Sequence, residues 1–577
     1  MSDQDTAASR KFLFSTCFIA LVATSFAFII RVMVMDSWQL AFRLTETQKG
    51  EIFGAGLWPF GVSIVLFSLM LDKLGYKRSM VFAFVCHVAS TLILIAAKGY
   101  WGLYIGSVLN GLAAGTVEAV INPAIATMYP KKKTTMLTIL HGGWSGGFVL
   151  GGLLIMLMGG MGLTSWKLRV CIILVPVLAY GLMLLRCKFP VSERVAAGVS
   201  YRDMLREAGA LGALVVTFMI TKEVGRVFGF PAILIYGLII AQVGVYFAYT
   251  RSLGRPMYIF LLLIMILLAT TELGTDTWIK DLMTPSMGKL GIDAGWVLIY
   301  TASIMTILRF CISPIEKRLR PLGVLLVSSL FAAVGLFFLS RADGMMILLL
   351  ATIYGTGQCF FWPVTLGLVA EQFPKGGAVT LNAIAGVGML GVGILGMPWL
   401  GYLQDTRIDK TLQSQPAIYA EVMDPETRVS VLGSYQGLDG GKVNQIAEKT
   451  ALYRLRQEAR EAHPEMNDEA LDAVLIENSN YQIALRAACE SLGGASGMSY
   501  QQMISALQNA GAFVGKEEFE RLGGIQETLA EAGTEAKQNA MATVALLPLI
   551  MAASYLGLII YFKRRGGYKI VEISAGE

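Results

Sequence analysis

Apolar windows long enough to cross a bilayer, which takes roughly 20 residues, recur along the chain with short polar breaks between them. Six fall at about 12–35, 50–71, 79–97, 101–129, 134–160 and 166–187, and six more at about 256–280, 292–312, 321–340, 344–371, 378–404 and 541–563. Two shorter windows, about 208–223 and 231–250, are split by Lys222, Glu223 and Arg226 and read as an inserted hairpin. Between 405 and 540 no window spans. Lys442–Ala462 and Asp468–Leu492 carry apolar residues at spacings of three and four, which predicts a small helical domain there, not a disordered tail.

The window at 101–129 holds a carboxylate, Glu118, inside GTVEAVINP (Gly115–Pro123). An ionisable group at that depth costs a few kcal/mol and ordinarily faces a cavity or a partner. Gly111, Gly115, Glu118 and Asn122 recur at three and four, so they share one small, polar helix face. A near copy follows about 240 positions later as GTGQCFFWP (Gly355–Pro363), with Gln358 where Glu118 stands, and Tyr129-Pro130 and Phe373-Pro374 close the two helices. Two halves in parallel repeat place a site between them near midplane. The alternative for Glu118 is a salt-bridged packing residue.

Composition agrees with a multi-span membrane protein: 577 residues, 55% hydrophobic and only 15% charged, against about 25% charged in soluble proteins. The formal charge of +6 is unevenly placed, since residues 405–537 hold 21 acids and 12 bases. Bases gather in alternate loops: Lys73, Lys77 and Arg78, then Lys131–Lys133, then Arg186, Lys188, Arg194, Arg202 and Arg206, and last Lys563–Arg565. By the positive-inside bias both termini are cytoplasmic in a cell membrane of the bacterial inner-membrane type, and the acidic segment lies outside. The N-terminus runs into its first span without a small-residue cleavage site, so no cleavable leader is expected. The seven cysteines show no metal-type pairing, and no disulfide framework is expected.

The turn DKLGYKR (Asp72–Arg78), with Asp72, Gly75, Lys77 and Arg78 in order and a weaker counterpart in Glu316–Leu322, resembles the signature loop of the major facilitator superfamily. E-x-x-x-N-P at Glu118, Asn122 and Pro123 resembles the L-fucose permease and glucose/galactose transporter group within it. The resemblance covers roughly 12–187, 256–404 and 541–563. It implies a fold of two six-helix bundles, gating by the Asp72–Arg78 loop, and protonation at Glu118 during sugar and proton symport. The group's acid in the first helix has no counterpart here: Arg31 is the ionisable residue at the matching depth, and Asp36 comes about a turn later. An Arg31 cation facing Glu118 would hold the carboxylate ionised until substrate or a proton competes for it.

Further groups could line the site. TTELGTDTW puts Glu272 and Asp276 at i, i+4 with Trp278 nearby, able to hold a cation or sugar hydroxyls. Arg309 either partners Glu272 or snorkels to the cytoplasmic surface. Gln358 and Trp362 offer an amide and an indole face for a pyranose ring, and His141 either relays protons or packs with a hydrogen bond. Gly142, Gly143, Gly146, Gly147, Gly151 and Gly152 fit a rocking helix interface.

No P-loop, metal-ligand spacing or nucleophile elbow is present, so neither an enzyme, a bound cofactor nor a metal is expected, and nucleic acid is not an expected partner. The organisation is all-α: an N-terminal bundle at 12–187, a cytoplasmic linker with the hairpin at 188–254, five helices of a second bundle at 255–404, an extracytoplasmic helical domain at 405–540 with no identified partner, a last helix at 541–563 and a tail at 564–577. The function expected is proton-coupled sugar symport by alternating access. The alternatives are an organic-anion permease using Arg31 and Arg309, and a non-transporting sensor or assembly protein.

Overall fold

The computed structural model describes residues 3–573 apart from 43, 45, 290, 293–294, 343, 431–432 and 492–497, and some helix residues by backbone alone. Thirteen helices among the described residues are long and apolar enough to cross a bilayer, and the shorter apolar helix Gly295–Phe310 stands where a further span is predicted. The chain divides into two compact units, Met1–Pro398 with Met541–Glu577, and Trp399–Ala540.

In the larger unit the first bundle is made by core helices 1 (Asp3–Phe42), 2 (Trp58–Leu74), 3 (Tyr76–Ala96), 4 (Tyr100–Met128), 5 (Lys133–Gly160) and 6, whose two segments are Trp166–Cys171 and Leu174–Arg186. The second holds core helices 7 (Pro256–Lys289), 8 (Gly295–Phe310), 9 (Ile312–Leu339), 10 (Met346–Gln358 and Phe361–Gln372), 11 (Gly377–Gly391, continuing through a π-helical turn) and 12 (Leu546–Arg564). The bundles meet where core helix 5 packs on core helices 8 and 10, and core helix 11 on core helices 2 and 4. The hairpin, Tyr201–Val227 and Ala232–Thr250, is kinked at Gly209 (φ 62°), and its first helix packs on core helices 2, 7 and 11.

The repeat is visible in the backbone. Core helices 4 and 10 end at Tyr129 and Phe373 with nearly equal angles, φ −125° and ψ 61° against φ −127° and ψ 49°. The proline that follows each disfavours α geometry at the residue before it, so both helices stop at the same place.

The prolines within these helices act alike. A proline has no N–H for the carbonyl four residues back, so Pro123 frees the carbonyl of Ala119 and Pro363 that of Cys359. Each finds a side-chain donor: Asn382 Nδ2 reaches Ala119 at 2.8 Å, and Arg309 Nε reaches Cys359 at 2.8 Å.

The glycines of core helix 5 divide by face. A methyl at Gly143 would sit 3.1 Å from the Phe18 carbonyl, and one at Gly147 2.9 Å from Ser25, both on core helix 1 of the same bundle. Gly142 and Gly152 instead face Phe310 and Ile299 of the other bundle at 3.3 and 3.2 Å. The stripe read in the sequence as one moving interface is therefore in part fixed packing inside the first bundle.

The smaller unit has two apolar cores. One gathers Leu452, Leu471, Tyr481, Leu485, Met503 and Leu507, and the other Ile408, Leu412, Val422, Ile446, Leu522 and Ile525. Two expectations are corrected here. The pattern read at Asp468–Leu492 is, over its described residues, two helices, Asp468–Leu475 and Ser479–Ser491, because the Asn478 side chain accepts the amides of Asn480 and Tyr481 and starts a new helix; Leu492 lies outside the described residues. The unit also contains an antiparallel pair of strands, Met423–Ser430 and Gly433–Leu438. Buried Asp409 braces it by accepting from the Gln436 amide at 3.1 Å and the Tyr419 hydroxyl at 2.8 Å.

Candidate functional site

Core helix 4 brings Glu118 and Asn122 to one face, as their spacing predicts, and Asn122 Nδ2 donates to Glu118 Oε2 at 2.9 Å. Asn122 Oδ1 then faces His141 Nε2 of core helix 5 at 3.1 Å. With the amide nitrogen committed to the carboxylate, the remaining oxygen can only accept, so His141 Nε2 carries the hydrogen. The three side chains form a chain between two helices of the first bundle, each at most 3% exposed.

Arg309 continues this chain from the second bundle. Its Nε is spent on the Cys359 carbonyl, Nη1 donates to the His141 carbonyl at 3.0 Å, and Nη2 lies 3.5 Å from Glu272 Oε1. At 2% exposure Arg309 does not snorkel; it is the partner of Glu272. Isolated buried charges are costly, and paired ones persist when geometry and extra hydrogen bonds offset the desolvation. The peptide carbonyls of Cys359 and His141 supply those extra bonds.

The expected pairing of Arg31 with Glu118 is not what forms. Arg31 Nη2 donates to the Ile52 carbonyl at 3.1 Å, and its guanidinium lies against Gly56, where a side chain would collide with it. A methyl at Gly111 would lie 2.8 Å from the Gly56 carbonyl. Glu118 is seven residues beyond Gly111, about 10 Å along the helix axis, so Arg31 is held by local backbone at another level, with its buried Nε left without a hydrogen-bond partner among the described residues.

Gln358 is buried one residue before the Cys359 carbonyl that Arg309 takes, and Trp362 is 8% exposed, with its ring against the backbone of Gly388 on core helix 11. The side chains of Asp276 and Trp278 lie outside the described residues.

At the other end of the bundles, the signature loop is organised by the linker. Asp72 accepts from Ser192 at 3.1 Å and from Arg194, whose Nη2 lies 2.5 Å away, while Lys77 donates to the Leu185 carbonyl at 3.2 Å. Gly75 takes φ 83° at the junction of core helices 2 and 3, a left-handed conformation that favours glycine, and Arg78 is exposed.

Beside this loop, three successive residues at the start of core helix 5 bind the second bundle. Lys133 Nζ donates to the Ala370 carbonyl at 3.1 Å as well as to Glu193 at 2.6 Å, Thr134 Oγ1 donates to Glu371 at 2.7 Å, and Thr135 donates to Glu316. The sequence reading missed this clasp, as it missed Arg194 and Asn382. Lys133 looked like one more orienting base, and nothing in its neighbourhood signals that it is 1% exposed.

The family model described as Major Facilitator Superfamily matches residues 12–403. No curated protein matches the chain. Among solved structures, the fucose:proton symporter of E. coli is 15% identical and superposes with a TM-score of 0.51 over 68% of this chain and 92% of its own. A proton:xylose symporter bound to 6-bromo-6-deoxy-D-glucose is 13% identical, with a TM-score of 0.51 over 69% and 89%. At such identities the likeness is one of fold, but the family model spans well over half of the sequence: the chain belongs to the Major Facilitator Superfamily and is a multi-pass secondary transporter.

Proposed function

We propose that this transporter is a proton-coupled symporter of a sugar, with Glu118 as the group that takes up and releases the proton. The observation that carries the reading is the buried network Glu118–Asn122–His141, met by Arg309 and Glu272 from the other bundle. Glu118 is buried, its described partner is the neutral amide of Asn122, and in such a medium an uncompensated charge is costly, which favours a proton there. Neutral polar groups around it, Asn122, His141, Gln358 and Asn382, suit hydroxyls.

The solved symporters for fucose and xylose share the fold and lend the sugar class its support. An anion permease fits less well, since Arg309 is spent on Cys359, His141 and Glu272. The proposed setting is a cell membrane, with both termini cytoplasmic and the acidic unit outside.

Reconstituted in proteoliposomes under an inward proton gradient, the protein should concentrate a labelled hexose or deoxyhexose, and unlabelled sugars but not organic acids should compete. Uptake that ignores the pH gradient removes the coupling, and competition by acids alone removes the sugar. Absence of any flux would favour a sensor or assembly role.

A further inference from the structure

The chain beyond core helix 12 turns back along the end of core helix 10. Val571 N donates to the Glu371 carbonyl at 3.0 Å, Gln372 Nε2 to the Lys569 carbonyl at 2.8 Å, and Arg320 Nη1 to the Tyr568 carbonyl at 3.2 Å. The Tyr568 hydroxyl donates to Glu371 Oε2 at 2.6 Å, and its ring packs on Phe562 with centroids 5.2 Å apart. Burial and the adjacent carboxylate hold that phenol well above its ordinary titration range, so it remains a donor.

The other oxygen of Glu371 serves the opposite bundle. Oε1 accepts the Thr134 amide at 3.2 Å and the Thr134 hydroxyl at 2.7 Å. Core helix 5 has no side-chain cap of its own, since Lys132 at its N-cap position makes none. The first N–H groups of a helix need acceptors and favour a negative partner. Glu371 therefore caps core helix 5 from across the bundle joint, and the bundles cannot part at this end without uncapping it.

We propose that the tail, through Tyr568, positions the Glu371 carboxylate as that cap and so holds the two bundles shut on the face that carries the tail. Tyr568 touches no residue of the Glu118 network in any contact above; it is a positioning residue for the gate. The proposal rests on alternating access, which the family shares, and not on the sugar or the proton.

The test follows a cysteine behind the clasp. Ala126 lines a cavity of about 30 Å³ beside Lys133 and Glu193. It is replaced by cysteine in a full-length chain whose native cysteines are changed to serine or alanine, and an impermeant maleimide is applied from the tail face. Tyr568→Phe should speed labelling about tenfold, the worth of one hydrogen bond to a charged group, and a chain ended after Gly567 should do the same. Glu371→Gln should also speed it, and Tyr568→Phe added to Glu371→Gln should then change the rate less than about twofold, since both act through one carboxylate. Unchanged labelling in both the Tyr568→Phe and shortened chains overturns the proposal, as does full additivity with Glu371→Gln. Because the readout needs no substrate, a failure of sugar or proton coupling leaves it interpretable.

Discussion

Core helices 4 and 10 are two versions of one element, and they differ where charge enters. Both stop at an aromatic residue before proline, and both carry an internal proline that frees a carbonyl. In the first the freed Ala119 carbonyl is met by a neutral amide from the opposite bundle, Asn382; in the second the Cys359 carbonyl is met by a cation of its own bundle, Arg309. The first keeps an acid, Glu118, where the second has Gln358. A duplicated backbone thus carries a buried acid on one side of the joint and a buried cation on the other, and the proposed proton coupling rests on that difference.

The sharpest way to break this asymmetry is Glu118→Gln, which gives both halves the same residue. Uphill uptake under a pH gradient should fall to background, while exchange of labelled for unlabelled substrate should persist, because shape and the Asn122 contact are nearly kept. Concentrative uptake by this variant would return Glu118 to a packing role.

Removing the cation tests the other half. Arg309→Ala leaves Glu272 buried without its guanidinium partner and should lower stability by about 3–5 kcal/mol, read as a fall in the thermal midpoint of the solubilised protein. Arg309→Ala with Glu272→Ala should recover most of that loss without restoring transport. If the double variant is no more stable than the single one, the ion pair is not what the arginine sustains.

Asn382→Ala is the mildest of the three, because it removes a neutral donor from the Ala119 carbonyl. About 1–3 kcal/mol should be lost for an unsatisfied buried acceptor, and Pro123→Ala on top of it should return part of the loss by restoring an N–H to the same carbonyl. An Asn382→Ala variant as stable as the native protein would show that Ala119 finds another donor.

The readable part of the site was the part set along one helix. Glu118 and Asn122 are four residues apart and had to share a face, and the copy at Gln358 followed from sequence repetition alone. Arg31 shows where that reading ends: its depth was legible, but the backbone of Ile52 and Gly56 lies next to it in space and the Ile52 carbonyl takes its Nη2. Likewise the base cluster Lys131–Lys133 was legible as charge, while the clasp made by Lys133, Thr134 and Thr135 depends on which carbonyls and carboxylates a different bundle presents.

By itself the sequence determined the number and order of the apolar helices, the parallel repeat, the inserted hairpin and the separateness of the acidic segment, because hydrophobic period and length are local properties that a bilayer reads directly. Tertiary structure alone decided that Arg309 reaches Glu272 and the His141 carbonyl while Arg31 turns to Ile52, that Asn382 completes a helix in the other bundle, and that Tyr568 donates to Glu371. These are pairings over separations of up to 263 residues, where helix packing sets which group lies within 3 Å of which, and no spacing along the chain encodes that.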